Sequence, residues 1–404
     1  MARLGLLLGM AILAGCHPQT IAPSVRSAPA QLASVPRGKV EPDLSKLHLV
    51  PMMSPPSRPA QYRALSAVEC RSLAVQNAPL ADDLDAHPNN QTSHAHSTRR
   101  KAEQAQLSRL VRGYAADELR NQAASEALQI YYKLAAAEGQ FDQATAAHGI
   151  LRTQLALAEK AINAGAAQRA TAERLRQQLL EVESQLAKLE AGIASANAGL
   201  SGHLGLDPAD QTPIWPTDTM GIADDLPDVD ATVQTALRCR PDLNLLRSLA
   251  SSDDGGQLSK AVVSGINPLL GTGDVSSPVL APLVALVGVL KAEPTRSEAR
   301  LKQQVLATLA ARERQADAEV RAAIATLRGS RLSVGAKSAE VRNLENQVAE
   351  AEKRVAAGIA GAEVELAQAR LDLLKGRGEL LQAVADYHVA DVKLRQATGM
   401  LVRE

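Results

Sequence analysis

The chain carries one long helical pattern twice. Residues 101–208 alternate polar and apolar positions with helical spacing, and residues 296–401 follow the same course. Each stretch breaks at one glycine and returns to another about 40 positions later, Gly165 and Gly205 in the first and Gly358 and Gly399 in the second. A repeat of this length predicts a duplicated helical hairpin, which restricts the architecture before any single residue is considered.

The returning segment of the first repeat has the most regular periodicity. Its apolar residues follow at alternating spacings of four and three: Leu175, Leu179, Val182, Leu186, Leu189, Ile193, Ala196 and Leu200. This is the heptad pattern of a coiled coil, in which neighbouring helices wrap around each other with a left-handed twist. The outgoing segment of the second repeat has a similar seam, which Arg331 and Ser338 interrupt.

The last segment of the chain has two seams side by side. One runs through Leu366, Arg370, Leu373, Arg377, Leu380, Val384 and Tyr387, and the other through Leu371, Leu374, Gly378, Leu381, Ala385 and His388. A helix of this kind contacts neighbours on two sides, as in a closed ring of helices or in an ordinary bundle.

Composition also favours long helices. Aromatic residues make up only 2% of the 404 residues, with Phe141 and Trp215 the sole members of their types, whereas a globular core of this size normally buries many rings. Outgoing segments of about 60 residues would reach roughly 90 Å as helices. The 44 basic and 44 acidic residues are interleaved, which predicts an ion-paired surface and argues against a nucleic-acid partner. The predicted fold class is all-α, with two repeated long antiparallel coiled-coil hairpins.

The N-terminus predicts an export signal and a lipid anchor. Arg3 precedes an apolar run that is too short to span a bilayer, which is typical of a signal peptide over residues 1–15. The run ends in Leu13-Ala14-Gly15-Cys16, which resembles the lipobox of bacterial lipoproteins and implies lipidation of Cys16. A plain signal peptide with a chance cysteine is the alternative. His17 stands where aspartate would signal inner-membrane retention, so we expect the anchor in the outer membrane, followed by an extended tether over residues 16–60.

Cys70 and Cys239 remain after Cys16 is assigned. In an oxidising compartment they could form a disulfide. Their different positions relative to Pro79 and Pro241 give no support from the repeat for a bridge, and two free, buried thiols are the favoured interpretation.

The repeat also sets the expected domain boundaries. Repeat 1 covers residues 61–210 and begins with a leading helix near Pro79, and residues 211–228 form an extended linker. Repeat 2 covers residues 229–404, with a leading helix near Pro241, an apolar insert at 250–293 and the second hairpin.

These features together resemble the outer membrane efflux protein family, the TolC-like channels of exporters and type I secretion. The resemblance rests on the repeat, the leading prolines, the glycine breaks and the stretches 174–180 and 369–381. It implies a homotrimer in the outer membrane that forms a periplasmic helical conduit with a periplasmic adaptor protein and an inner-membrane pump. It also implies that the adaptor docks on the hairpin tips, at Gly165 and Gly358 with Arg169 and Glu363 nearby.

One departure from that family is evident in the sequence. The family places two transmembrane strands between the leading helix and the hairpin of each repeat. Residues 85–96 are too short and polar for such a pair, and residues 250–293 contain Pro282 and Asn267-Pro268 without polar-apolar alternation. We therefore expect little or no β-barrel, which keeps a second hypothesis open: a periplasmic coiled-coil scaffold lipoprotein that lacks a pore.

No residue pattern predicts catalysis. His87, His94 and His96 lie close together, but without Cys, Asp or Glu at ligand spacing they are more typical of a solvated linker than of a metal site. The sequence contains no nucleophile-base pattern, so we expect neither an enzyme nor a cofactor or metal.

Overall fold

The computed structural model describes residues 62–86, 99–164, 169–251 and 298–403, apart from positions 208, 210, 211, 219 and 224. Within these residues the elements follow in the order β1 (Arg63–Leu65), α1 (Ala67–Gln76), α2 (Pro79–Ala86), α3 (Arg99–Asn163), α4 (Arg169–His203), β2 (Ile214–Pro216), α5 (Val229–Cys239), α6 (Pro241–Ala250), α7 (Glu298–Ala356) and α8 (Ala362–Thr398). The helical fold class predicted from the sequence is confirmed.

Both predicted hairpins are present. Helix α3 is 65 residues long and α7 is 59, while the returning helices α4 and α8 have 35 and 37 residues. At 1.5 Å per residue, α3 extends over about 98 Å. Each outgoing helix therefore continues well past the end of its returning partner, and the short helices cover this extension: α1 and α2 pack on α3, and α5 and α6 pack on α7.

Ion pairs join the two arms of each hairpin. In the second hairpin, Arg370 of α8 contacts Glu352 of α7 at 2.9 Å, and Arg377 contacts Glu345 at the same distance. In the first, Arg176 of α4 contacts Glu159 of α3 at 2.6 Å. In the second hairpin, the residue number of the partner falls on α7 as it rises on α8. This is the pattern of two antiparallel helices.

Helix α8 has neighbours on both sides, as its two seams predict. Towards α7, a Cβ at Gly376 would lie only 2.6 Å from Leu344, so glycine permits the close approach of the two helices. Towards α3, Gln140 donates a hydrogen bond to the carbonyl of Gly378, and Asn121 donates one to the carbonyl of Gln396. This register makes α3 and α8 antiparallel, so both hairpin tips lie at the same end.

The long helices consequently form a row in the order α4, α3, α8, α7. Extensive packing joins α4 to α3, α3 to α8 and α8 to α7, and no comparable contact joins α4 to α7 within the described residues. The predicted heptad seam of α4 is half-buried over most of its length, with only Leu200 fully buried. None of the described helices is both long and apolar enough to cross a lipid bilayer.

The leading helix expected in each repeat is a pair of helices. Proline causes the division, because its ring favours the first turn of a helix and disrupts the interior. Pro79 begins α2, and Pro241 begins α6 directly after α5. Ser66 and Glu69 form a capping box at the start of α1, and Asp228 caps α5 through the backbone N–H of Ala231.

A short parallel pair of strands is the one departure from the all-α prediction within the described residues. Arg63–Leu65 pairs with Ile214–Pro216, part of the predicted extended linker. The rings of Tyr62 and Trp215 pack edge-to-face beside the pair, with their centroids 6.2 Å apart. The linker therefore ties the start of the described chain to the end of the first hairpin.

The glycines that end the returning helices have equivalent roles in the two repeats. Gly205 and Gly399 both have positive φ, 63° and 71°. A Cβ at Gly205 would lie 2.6 Å from the side chain of Asn77, and one at Gly399 would lie 3.1 Å from Pro241. Each returning helix thus ends against the junction of its own leading helices, which explains why both glycines appear in the sequence repeat.

Candidate functional site

The tip of the second hairpin is a compact turn between α7 and α8. Gly358 takes a φ of 68° and Gly361 a φ of 85°. The N–H of Ile359 donates to the carbonyl of Arg354 at 3.2 Å, which closes the end of α7, and the N–H of Ala362 donates to the carbonyl of Ile359 at 3.1 Å. Nothing lies within 4 Å of a Cβ built on Gly358, so the turn faces open space.

The structure places three of the predicted tip residues at one end of the helix row. Gly358 lies in the turn, Glu363 lies in the first turn of α8, and Arg169 begins α4; all three are exposed. Gly165 and Cys16 lie outside the described residues. The antiparallel register of α3 and α8 brings Arg169 to the same end as Gly358 and Glu363.

Sequence reasoning missed the apolar part of this tip. Ile359 is 55% exposed and Val364 is 65% exposed, and they flank the turn on either side of Gly361. Glycines that shorten the turn leave both side chains projecting from it, in an arrangement suited to a protein contact. The sequence did contain an indication of this surface, because Ile359 and Val364 both lie within six positions of Gly358.

The outer helices of the row expose further apolar side chains. Leu180 of α4 is 65% exposed, and α7 exposes Leu306 and Leu332. Among the described helices, α4 and α7 each have one long helix packed extensively beside them, so these side chains lie on helices whose other flank no described long helix covers. The row is therefore an open layer with apolar positions on both outer helices.

An ionic cluster, buried except for the partly exposed Glu319, connects the second leading helices to α7 and α8. Arg240 contacts Asp242 at 3.0 Å and Glu319 at 2.6 Å, and donates to the carbonyl of Ala397 at 3.1 Å. Arg312 contacts the same two carboxylates, Asp242 at 2.6 Å and Glu319 at 2.8 Å. Sequence reasoning treated Arg240-Pro241-Asp242 only as part of the repeat, because the partners on α7 are some 70 positions away.

Charge within the cluster alters the protonation of its members. Burial alone would raise the pKa of Asp242, but the two guanidinium groups outweigh it and hold that pKa below its usual value. Burial would likewise lower the pKa of Arg240, and Asp242 and Glu319 raise it instead. Asp242 and Arg240 are therefore charged at any physiological pH.

The described cysteines are both free, as favoured from the sequence, but only one is fully buried. Cys70 has no exposed surface, whereas Cys239 is partly exposed. Burial, reinforced by the negative charge of Asp218, raises the pKa of the Cys70 thiol to about 12. Cys70 is consequently a poor nucleophile, since the thiolate is the reactive form.

Metal-binding groups do not converge in the part of the chain that the structure describes. No set of three His, Cys, Asp or Glu side chains there could hold a metal ion. His87, His94 and His96 lie outside the described residues.

Several solved structures have a similar arrangement of helices. No protein-family model matches the sequence, and no curated protein matches it. The outer membrane protein VceC from Vibrio cholerae matches with a TM-score of 0.54 and 14% identity, over 83% of this chain and 93% of VceC. This chain shares the fold of that outer membrane protein.

Two further structures have the same fold. The outer-membrane channel OprN matches with a TM-score of 0.54 and 18% identity, over 74% of this chain and 71% of OprN. The CmeC outer membrane channel of Campylobacter jejuni matches with a TM-score of 0.56 and 14% identity, over 75% of this chain and 67% of CmeC. At these identities the likeness concerns the fold and does not transfer residue roles.

Proposed function

We propose that this protein is the outer membrane channel component of an efflux or type I secretion system, in which three copies form a periplasmic helical conduit. The observation that carries the proposal is the open row of four long helices. Within the described residues the two edges of this row, α4 and α7, have no long helix beside them on the outer side, and apolar side chains on these outer helices favour further association.

Association of identical chains would cover these edges. Helix α4 of one protomer would pack beside α7 of the next, and this head-to-tail contact closes into a ring if the rotation between copies is right. Three copies would place twelve long helices around one axis. This is the architecture that the family resemblance implies, and the channel fold of the compared structures supports it.

The hairpin tips are the proposed contact for a periplasmic adaptor protein that connects the conduit to an inner-membrane pump. Gly358, Glu363 and Arg169 would contribute to this contact, as would Gly165 at the first tip. The exposed Ile359 and Val364 add an apolar element to a polar rim, a composition common in protein interfaces. The conduit performs no chemistry; adaptor binding would shift the hairpins and open the tip.

The proposed location is the periplasmic face of the outer membrane, with lipidated Cys16 as the anchor. A single acyl chain holds a protein only marginally, so stable anchoring needs the two or more chains that lipoprotein processing attaches.

A scaffold lipoprotein without a pore is the second candidate. It is favoured by the short polar segment 85–96 and by the proline-interrupted segment 250–293, which occupy the two positions of the family's transmembrane strands. In that case the hairpins would serve as a periplasmic coiled coil.

The mass of the purified full-length protein in detergent tests the conduit, and conductance across a planar bilayer tests the pore separately. A hollow trimer in electron micrographs, with discrete conductance steps, is the expected result. A monomeric particle would contradict the conduit. A hollow trimer without conductance would favour the scaffold.

A further inference from the structure

The buried ionic cluster contains a fifth charged residue from the other repeat. Glu118 of α3 is 4% exposed, and the charged groups around it are Arg240 and Asp242 of the α5–α6 junction and Arg312 and Glu319 of α7. Helix α8 contributes the neutral carbonyl of Ala397 to Arg240. The cluster is therefore a point at which repeat 1 contacts repeat 2 through charge.

The charges of the other four residues are already balanced. Arg240 and Arg312 carry two positive charges, Asp242 and Glu319 carry two negative charges, and every opposite pair among them is in contact at 2.6–3.0 Å. An ionised Glu118 would add a third carboxylate to this buried group. Among the described residues the cations that act on Glu118 are Arg240 and Arg312, and both guanidinium groups already pair with Asp242 and Glu319.

The first repeat has an apolar version of the same position. Alignment of Pro79 with Pro241 places Ala78 opposite Arg240 and Leu80 opposite Asp242. Ala78 is buried among apolar side chains of α2, α3 and α6. A buried ionic cluster often contributes no more stability than apolar residues of similar volume. Repeat 1 thus forms its junction without charges at these two positions, and we infer that the charges in repeat 2 have a role besides stability.

We propose that Glu118 is a proton-linked lock between the two repeats. While its carboxyl group carries a proton, the cluster is neutral and α3 packs against α6. When the proton leaves to water, the buried carboxylate meets Asp242 and Glu319, and the contact between the repeats weakens. The lock does not depend on whether the protein forms a conduit.

The protonation of Glu118 fixes the direction of the pH effect. Burial, with a contribution from Asp242, raises the pKa of Glu118 from 4.5 to about 8 in the folded chain, although Arg240 and Arg312 act against the rise. Between these two values the folded chain holds a proton that the unfolded chain has released. The contribution of Glu118 to stability therefore falls as pH rises from about 4.5 to about 8 and becomes constant above that range.

Thermal unfolding of the full-length protein between pH 5 and pH 9 tests the lock. Glu118→Gln replaces the carboxyl with a neutral group of similar shape. We expect its melting temperature to exceed that of the wild type by an amount that is small at pH 5, grows up to pH 8 and then stays constant. Glu190→Gln on α4 is the matched control, because Glu190 is exposed and its substitution should give a difference that does not depend on pH.

A difference between Glu118→Gln and the wild type that is the same at every pH would overturn the proposal. If Glu118→Gln does not fold, amide hydrogen exchange on the wild type decides. After correction for the chemical exchange rate, α3 around Glu118 and the start of α6 should lose protection between pH 6 and pH 9, while the hairpin arms near Gly358 keep theirs. Equal protection at both pH values would overturn the lock.

Discussion

Gly399 and Gly358 both have a left-handed backbone conformation, but only Gly399 has close neighbours. Substitution at the two positions can therefore distinguish the cost of backbone strain from the cost of a steric clash. Alanine at either position should cost about 1–2 kcal/mol because of the backbone conformation. At Gly399 the added Cβ would also lie 3.0 Å from the Cα of Arg240 and 3.1 Å from the carbonyl oxygen of Cys239, whereas Gly358 has open space around it. We expect Gly399→Ala to lower the free energy of unfolding more than Gly358→Ala, as measured by chemical denaturation. An equal decrease in the free energy of unfolding for both variants would show that the end of α8 is not in close contact with the α5–α6 junction.

The two described cysteines should differ sharply in reactivity. Cys70 is fully buried with a pKa of about 12, while Cys239 is partly exposed at the end of α5. Maleimide added to the native protein should label Cys239 and leave Cys70 unmodified, and both should react in denaturant, as read by peptide mass spectrometry. Cys239→Ser provides the control, because it should remove nearly all native labelling at these two sites. Rapid native labelling of Cys70 would contradict its burial in the packing of α1 against α3.

At the scale of elements, the ionic cluster should be far more sensitive than surface ion pairs. Arg312→Met leaves the buried Asp242 and the partly exposed Glu319 with one guanidinium between them. Loss of one partner of a buried pair, here Arg312–Asp242, costs about 3–5 kcal/mol. Arg321→Met on the same helix removes exposed contacts to Asp230 and Asp317 and should change stability little. Urea denaturation of the two variants gives the comparison. Similar losses would mean that the cluster does not fix α6 on α7.

The sequence predicts some elements far better than others, for physical reasons. The hairpins were predictable because the heptad spacing of apolar residues repeats over dozens of positions in α4 and α8. Each further repeat makes the helical interpretation more certain. Strands β1 and β2 were not, because each has three residues and finds its partner about 150 positions away. The same limit applies to the candidate sites. Gly358 follows from a local helix break, whereas the contact of Arg240 with Glu319 depends on how α6 packs on α7.

At the scale of the whole molecule, the order of the long helices determines which surfaces can associate. Hydrogen bonds and a stacked pair join α3 to α8: Ser125 contacts Gln396 at 2.7 Å, and the rings of Tyr132 and His388 lie 4.4 Å apart. Burial lowers the pKa of His388 to about 4, so this contact remains neutral at ordinary pH. The two repeats thus form a continuous layer, and its free flanks belong to α4 and α7.

Charged substitutions on these flanks should disrupt the proposed trimer without unfolding the chain. Leu180→Glu on α4 and Leu332→Glu on α7 each place a carboxylate on an outer helix where an exposed leucine now lies. In a head-to-tail ring both substitutions affect the same interface, so each alone should shift the detergent-solubilised protein towards monomer in light scattering, with an unchanged far-ultraviolet circular dichroism spectrum. Val68→Glu is the control, because Val68 is as exposed as Leu180 but lies on α1, which packs chiefly on the inner helix α3. If all three variants keep the oligomeric state of the wild type, the outer helices are not the contact between copies, and the conduit would need a different interface.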